Sequence, residues 1–254
     1  MSEVLKVVDV TQRFGGLVAL AGIHLYIKPG EIVGIIGPNG AGKTTLFNVI
    51  TGIYHPTEGK VYLEGADITS YKTHQIAKAG FARTFQNIRL FGKLSVMDNV
   101  IAGMHTCRKT NLLDAILHTK RRRREGREAQ EKAESLLKLM DLWEDRHSLA
   151  SALPYGHQRR LEIARALATE PKLLLLDEPA AGMNEQETLE LREMVLQLKK
   201  MGLTILLIEH DMKFVMNICE RIYVLNHGEL IAQGTPKQVS QDQAVIEAYL
   251  GEEE

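Results

Sequence analysis

Gly37-Pro38-Asn39-Gly40-Ala41-Gly42-Lys43-Thr44-Thr45 follows directly on the apolar run Ile32-Val33-Gly34-Ile35-Ile36, and helical patterning continues from Lys43 to about Ile50. The stretch matches the phosphate-binding loop pattern in full, and it stands where such a loop must, between a strand and a helix. Glycines let successive backbone N–H groups turn toward one anion, and the start of the next helix adds its positive end. In such a loop Lys43 reaches the β- and γ-phosphates of a nucleotide, and the Thr44 hydroxyl binds Mg²⁺. The alternative is a tight strand-to-helix turn that needs glycine for geometry alone. The complete motif in its proper setting weighs heavily against it.

Further along, Leu173-Leu174-Leu175-Leu176-Asp177-Glu178-Pro179 reads as a buried strand ending in two carboxylates. An open α/β sheet keeps its ligand chemistry at strand ends. Asp177 is then the partner for Mg²⁺, and Glu178 is the general base that orients and deprotonates an attacking water. Two acids also serve as N-terminal charges for a following helix. That use loses ground once the phosphate loop is present.

Outward from these two strands, the pattern defines the architecture. Val4 to Val10, Ile23 to Ile27 and Lys60 to Leu63 read as an N-terminal β layer. From about Leu90 to Ala168 the pattern turns helical, with Ala129, Ala133, Leu136, Leu137 and Met140 on one face. Strand and helix then alternate: Leu173–Leu176, a helix over Glu185–Met201, Leu203–Ile208, a helix over Asp211–Cys219, and strands Arg221–Leu225 and Glu229–Ala232. Such alternation implies a parallel sheet covered on both faces. The expectation is one α/β domain over 1–254, a P-loop core with an N-terminal antiparallel β layer and a helical subdomain inserted at about 88–168.

Composition excludes several classes. The 254 residues are 44% hydrophobic and 25% charged, as in ordinary globular proteins, with a net charge of −1 that sets up no field for nucleic acid. The two cysteines, Cys107 and Cys219, match no metal spacing and fit a reducing compartment. His105, His118 and His147 form no metal spacing either. No apolar run approaches the roughly 20 residues that cross a bilayer, and the N-terminus lacks the apolar stretch of a signal peptide. Any membrane role is therefore expected to come through a partner. Lys120-Arg121-Arg122-Arg123-Arg124 would suit anionic lipid heads. With Glu125, Glu128 and Glu131 at near-helical spacing it reads better as a solvated helix face.

The remaining motifs choose among P-loop families. Leu153-Pro154-Tyr155-Gly156-His157-Gln158-Arg159-Arg160 with Leu161-Glu162-Ile163-Ala164-Arg165-Ala166-Leu167 resembles the signature and signature helix of ABC ATPases. Gln86 in Arg83-Thr84-Phe85-Gln86 resembles the Q-loop glutamine. His210 in Leu207-Ile208-Glu209-His210-Asp211 resembles the switch histidine, and Phe14 stands where the family stacks an aromatic on adenine. The resemblance covers essentially the whole chain, with the motifs in order. It implies that ATP is sandwiched between one subunit's phosphate loop and the other's signature, Pro154 to Gln158 here. Gln86 would sense the γ-phosphate and Mg²⁺, and His210 would hold the γ-phosphate and the water. Taken singly, Phe14 also reads as core, Gln86 as a strand-end polar residue, and His210 as a helix-start residue with Asp211 as the cap.

Within the family the chain most resembles the ATPase subunits of branched-chain amino-acid importers. That likeness rests on Arg83-Thr84-Phe85-Gln86 with Arg89-Leu90-Phe91, on Glu178-Pro179-Ala180-Ala181-Gly182-Met183-Asn184, on Ile208-Glu209-His210-Asp211-Met212, and on the ending Ala248-Tyr249-Leu250-Gly251. It implies a second, non-identical ATPase subunit, two transmembrane permease subunits, a periplasmic solute-binding protein, and a place on the cytoplasmic face of the membrane. A lipid-export ATPase, a nucleotide-gated binding module and a soluble ABC factor of translation or repair are the rival readings. The first shares much of the phosphate-loop region, the intact Glu178 opposes the second, and the third usually carries two such domains or a long insertion.

Two departures stand out. The family's usual Leu-Ser-Gly-Gly-Gln has Pro154 at its serine, Tyr155 next and His157 at its glutamine, so a hydroxyl that would cap the helix and reach a partner's γ-phosphate is missing. Proline fits the first turn of a helix. Asn184 stands where many ABC domains carry aspartate, so one cross-dimer contact loses its charge.

Overall fold

The structure, a computed structural model, describes residues 3–104 and 120–250; His105, Cys107, His118 and Gly251 lie outside them, as do the side chains of 120–123. The described chain forms two compact units, one of Met1–Phe81 with Lys172–Glu254 and one of Ala82–Pro171.

In the first unit, β1 (Leu5–Phe14) and β2 (Leu17–Ile27) form a hairpin, which β4 (Glu58–Leu63) and β5 (Ala66–Asp67) extend to an antiparallel sheet of order β2-β1-β4-β5. Both hairpin strands run longer than their apolar alternation suggested. Register shifts near Val10 and Gln12 bend the pairing and blur the period-2 signal.

The second sheet has six strands in the order β10-β9-β3-β8-β7-β6. They are β3 (Ile32–Ile36), β6 (Phe81–Arg83), β7 (Leu173–Asp177), β8 (Thr204–Ile208), β9 (Arg221–Asn226) and β10 (Glu229–Gly234). β3, β7, β8 and β9 run parallel, with β10 antiparallel at one edge. Every residue of β3, β7 and β8 is buried. Burial on both faces is why these segments read as unbroken apolar runs rather than alternating ones. The short strand β6, where the chain passes from one unit to the other, and helix α2 (Thr73–Ala79) gave no clear sequence signal.

One apolar core joins the antiparallel layer, helix α1 (Lys43–Ile50) and the near face of the parallel sheet: Leu5, Val7, Leu25, Ile27, Leu46, Phe47, Ile50, Val33, Ile35, Leu175 and Leu206 belong to it. Helix α6 (Glu185–Lys200) buries Leu191, Met194, Val195 and Leu198, spaced as one helical stripe. Helix α7 (Met212–Ile218) buries Phe214, Val215 and Ile218. Gly34 in mid-strand is explained by this packing, since a Cβ there would lie 2.9 Å from Cys219 Sγ and 3.2 Å from Val215 Cγ1. The short helices α8 (Pro236–Val239) and α9 (Gln243–Leu250) close the unit.

The second unit is helical: α3 (Val96–Gly103), α4 (Lys120–Leu139) and α5 (Tyr155–Leu167), with a 3₁₀ turn over Ala150–Ala152. Of the predicted stripe on α4, Ala129, Ala133, Leu137 and Met140 are buried, the last just beyond the helix end, while Leu136 is only half-buried. On its other side Arg124 pairs with Glu128 at 2.7 Å, both well exposed, while Glu125 is half-buried.

Candidate functional site

Three parallel strands end at one edge. The register pairs Ile35 of β3 with Ile208 of β8, and Ile208 with Asp177 of β7. The phosphate loop after β3, the Asp177–Glu178 pair after β7 and the Glu209–His210 pair after β8 therefore leave the sheet side by side. The neighbouring ends of parallel strands form the crevice in which open α/β sheets bind ligands.

The loop's glycines are needed individually. Gly37 (φ 149°) lies so close to the Leu225 carbonyl that a Cβ would meet its oxygen at 2.0 Å, and Gly42 (φ 101°) would meet the Ala19 carbonyl at 2.8 Å. Gly42 is also the cap of α1, in the left-handed region, and no side chain caps that helix. The first-turn N–H groups of α1 thus have no capping oxygen from their own cap residue. Ala41 N donates to Pro38 O at 3.2 Å and Ala41 O accepts from Gly228 N at 3.0 Å, which pins the loop from both sides. Lys43 is buried and folds back over the loop, donating from Nζ to Gly37 O and Pro38 O at 2.6 Å each. Thr44 is exposed at the start of the helix and Thr45 half-buried beside it. Asn39 and Gly40 stand exposed at the tip.

Asp177 is the buried last residue of β7. Glu178 follows with φ +47°, a left-handed conformation that a non-glycine side chain seldom takes and that clusters at functional sites. Its amide donates to Ile208 O at 2.9 Å. Its carboxylate Oε1 lies 2.8 Å from His210 Nε2, with Glu178 mostly covered and His210 about half exposed. The two residues singled out as base and switch histidine are therefore in direct contact. Asp211 caps α7 by accepting from Phe214 N at 3.0 Å, as expected of a helix start there, and His210 directly precedes that cap. Phe14 is 42% exposed and meets Tyr54 edge-on, centroids 5.2 Å apart, so it is not a core residue.

The donor set suits a nucleotide with Mg²⁺. The glycine-rich loop with its lysine leaves the sheet at the edge where Asp177 ends β7, and the exposed Thr44 stands in the first turn of α1. Among the described residues no three His, Cys, Asp or Glu groups gather as a metal site. A sparse set such as Thr44 and Asp177 is what Mg²⁺ uses when substrate phosphates supply its remaining ligands.

Gln86 and the signature belong to the second unit. Gln86 is exposed, and the backbone around it is held from below by two charges of α5. Arg159, fully buried, donates to Phe85 O at 2.6 Å, to Gln86 O at 2.8 Å and to Glu162 Oε2 at 2.8 Å. Glu162, 1% exposed, accepts from Phe85 N at 3.4 Å and Arg89 N at 3.3 Å. This clamp was not anticipated. Arg159 and Glu162 stand three apart in a helix that also carries Arg160 and Arg165, so the pair did not stand out, and its target lies over 70 residues away.

Pro154 is the cap of α5 rather than a first-turn residue, with φ −55° and ψ 155° and no side-chain cap bond. Its carbonyl accepts from Gln158 N at 3.0 Å, and Gln158 Nε2 donates to Leu153 O at 2.9 Å. Tyr155 is exposed, Gly156 buried, and His157 Nδ1 meets Asp145 Oδ2 at 3.1 Å. In the first unit Asn184 caps α6, accepting from Glu187 N at 2.9 Å while Glu187 bonds back to its amide at 3.0 Å.

Comparison with known proteins agrees with this geometry. Residues 20–181 match the ABC transporter family, and residues 229–254 match the branched-chain amino acid ATP-binding cassette transporter family. The high-affinity branched-chain amino acid transport ATP-binding protein BraF of Pseudomonas aeruginosa is 46% identical over 250 residues, covering 98% of both chains. Among solved structures, the ADP conformation of MJ1267, an ATP-binding cassette of an ABC transporter, is 34% identical with a TM-score of 0.85, covering 99% of this chain and 100% of that one. The ATP-binding cassette MJ0796, solved as a dimer in a post-hydrolysis state with ADP and Pi, is 27% identical with a TM-score of 0.77, covering 91% and 98%. The chain belongs to the ABC transporter family, among its branched-chain amino acid transport ATP-binding proteins. Its sheet edge is that of an ATPase whose hydrolysis powers transport. No described helix is long and apolar enough to cross a membrane.

Proposed function

We propose that this chain is the motor subunit of an importer for branched-chain, hydrophobic amino acids. It acts as a single nucleotide-binding domain on the cytoplasmic face of the membrane, paired with a second, non-identical ATPase subunit. Two permease subunits attach it there, and a solute-binding protein feeds them.

The amides of Gly37 to Gly42 and the Lys43 ammonium hold the phosphates, with Thr44 and Thr45 at the helix start. Phe14 stacks on the adenine. Thr44, Asp177 and Gln86 would hold Mg²⁺, which would supply positive charge against the phosphates. Glu178 Oε1 takes the proton of the attacking water, and His210 holds that water and the γ-phosphate. Pro154 to Gln158 complete the partner's site rather than this one.

The observation that most supports the reading is the 2.8 Å contact of Glu178 with His210 at the edge that also bears the phosphate loop. The missing signature hydroxyl supports a division of labour: the site built on Lys43, Asp177 and Glu178 fires against a partner's signature, and the site completed by Pro154 is the weaker one. Two copies of this chain would have two weak sites, whereas a heterodimer keeps a strong one.

The test is Mg²⁺-dependent ATP hydrolysis by the chain alone and mixed with candidate partner ATPases, with Glu178→Gln beside it. Turnover that appears on mixing and vanishes with Glu178→Gln is the expected result. ATP binding without turnover in any mixture would leave a nucleotide-gated binding module instead.

A further inference from the structure

Directly after β8 the sequence places Glu209, and its carboxylate is buried, 3% exposed. A buried carboxylate is costly unless it is well hydrogen-bonded. This one is. Its Oε1 accepts from Ala180 N at 2.6 Å, and its Oε2 from His210 N at 3.1 Å, with Asp211 N at 3.5 Å. The two oxygens thus serve two loops: one runs from Glu178 to Asn184, the other contains His210.

The first of these loops begins in an unfavourable conformation. Glu178 has φ +47°. On its N-terminal side the turn is fixed by its own amide donating to Ile208 O. Two residues later the backbone is fixed by Ala180 N donating to Glu209. Just beyond, Ala181 N closes back on Glu178 O at 3.2 Å, and Met183 N on Ala180 O at 3.1 Å. Strained backbone persists only where its surroundings over-determine it, and here the Glu209 carboxylate is a restraint from outside the loop on its C-terminal side. The same carboxylate fixes the amide of His210, whose ring meets Glu178.

We propose that Glu209 is the positioning residue of this ATPase, the link that holds Glu178 in its left-handed turn and keeps it in register with His210. This rests on the reading of Glu178 as the hydrolytic base. The Glu209 carboxylate bonds backbone amides of both loops, and its effect runs through them. A small loss of register at a reacting group costs rate far more than binding, since the binding groups lie on a different loop.

Glu209→Ala and Glu209→Gln test it, in the full chain mixed with the partner that gives turnover and with Glu178→Gln in parallel. Glutamine keeps one acceptor oxygen but turns an NH₂ toward the other loop's N–H, so it replaces one link and not both. The expected order of kcat is wild type, then Gln, then Ala, with Ala lower by roughly 10- to 100-fold and KM for ATP moved by less than about threefold. Hydrogen exchange on the nucleotide-free chain gives a second readout: amides of 178–184 lose protection in Glu209→Ala while those of 32–50 keep theirs. Where the alanine variant fails to fold, the glutamine variant is read by both measures. Unchanged kcat with unchanged exchange, or a loss confined to KM, overturns the proposal. If Glu178→Gln itself retains turnover, the assignment of the base has failed, and the exchange result still decides whether Glu209 holds the loop.

Discussion

The edge of the parallel sheet and the start of helix α5 face the same physical problem, exposed backbone donors where a regular element begins. They answer it in opposite ways. At α1 the cap residue is Gly42, without a side chain, and a lysine folds over the loop. At α5 the cap is Pro154, which has no hydroxyl and no amide hydrogen to offer a ligand, and the helix turns a buried Arg159–Glu162 pair onto the backbone of Phe85, Gln86 and Arg89 instead. The first arrangement is built to bind an anion with its own backbone. The second is built to be rigid while presenting little. The proposed division of labour, with hydrolysis at the subunit's own loop and a weak contribution to its partner's site, is built on this difference.

The largest expected effect tests the first region. Lys43→Ala removes the ammonium proposed to reach the β- and γ-phosphates and the two bonds that pin the Gly37 and Pro38 carbonyls. Turnover should fall by at least about 100-fold and ATP affinity with it, since a charge on the phosphates acts in ground and transition states alike. Equilibrium titration with ATP, run beside the turnover assay, checks both. Intact affinity would mean that the backbone alone carries binding, and the contrast with α5 would be one of amides only.

Next in size is the clamp that α5 carries. Glu162→Leu alone leaves Arg159 buried and unpaired, which typically costs about 3–5 kcal/mol. The double change Arg159→Met with Glu162→Leu removes both charges and should cost much less, because a well-packed apolar pair often replaces a buried ion pair without loss. Its remaining cost is that of the Phe85, Gln86 and Arg89 backbone groups left without partners. Urea unfolding of the three proteins measures this. Equal destabilisation by the single and double variants would show that the pair works through those backbone bonds rather than through its charges.

The two regions also differ in how far the sequence discloses them. The phosphate loop was legible because everything it needs is local: an apolar strand, glycines with positive φ, a lysine and a helix, all within 20 residues. Asp177 and Glu178 were legible as the end of a buried run, and the parallel order followed from strand–helix alternation. The edge strand β6, three residues long, has no periodicity to read. Glu209 and Glu162 were invisible as functional residues because a carboxylate declares itself by its partners. Ala180 and Phe85 are 29 and 77 residues from theirs, and an amide donor has no sequence signature. Motif and period report what a segment does with itself. They are silent on backbone groups that a distant side chain must satisfy.

Asn184 sharpens the comparison from the side of the cap. Where Pro154 cannot cap, Asn184 caps α6 fully, in a reciprocal arrangement with Glu187. Asn184→Ala should therefore cost about 1 kcal/mol in thermal or chemical unfolding. Asn184→Asp, which keeps the acceptor and adds charge at a helix N-terminus, should be neutral or stabilising by a few tenths of a kcal/mol. If that aspartate also raises turnover in the paired complex, the charge rather than the cap is what this position contributes across the dimer.

The smallest expected change is the most direct on asymmetry. Pro154→Ser keeps the extended backbone at the cap, since φ −55° and ψ 155° suit serine as well as proline, and it supplies the missing oxygen for an amide of the first turn. Helix α5 should gain up to about 1 kcal/mol from the cap, partly offset because serine restricts the unfolded chain less than proline does. Turnover by the assembled heterodimer should rise about two- to fivefold, through the site this signature completes and not through the one built on Lys43. Combining the change with Glu178→Gln separates the two sites. Turnover that survives in the double variant then comes from the partner's own loop, acting against the repaired signature. Should the repair leave both stability and turnover unmoved, the donor missing at Pro154 would not be what separates the two regions. The burial of Gly156 and the His157–Asp145 contact would then become the features to change next.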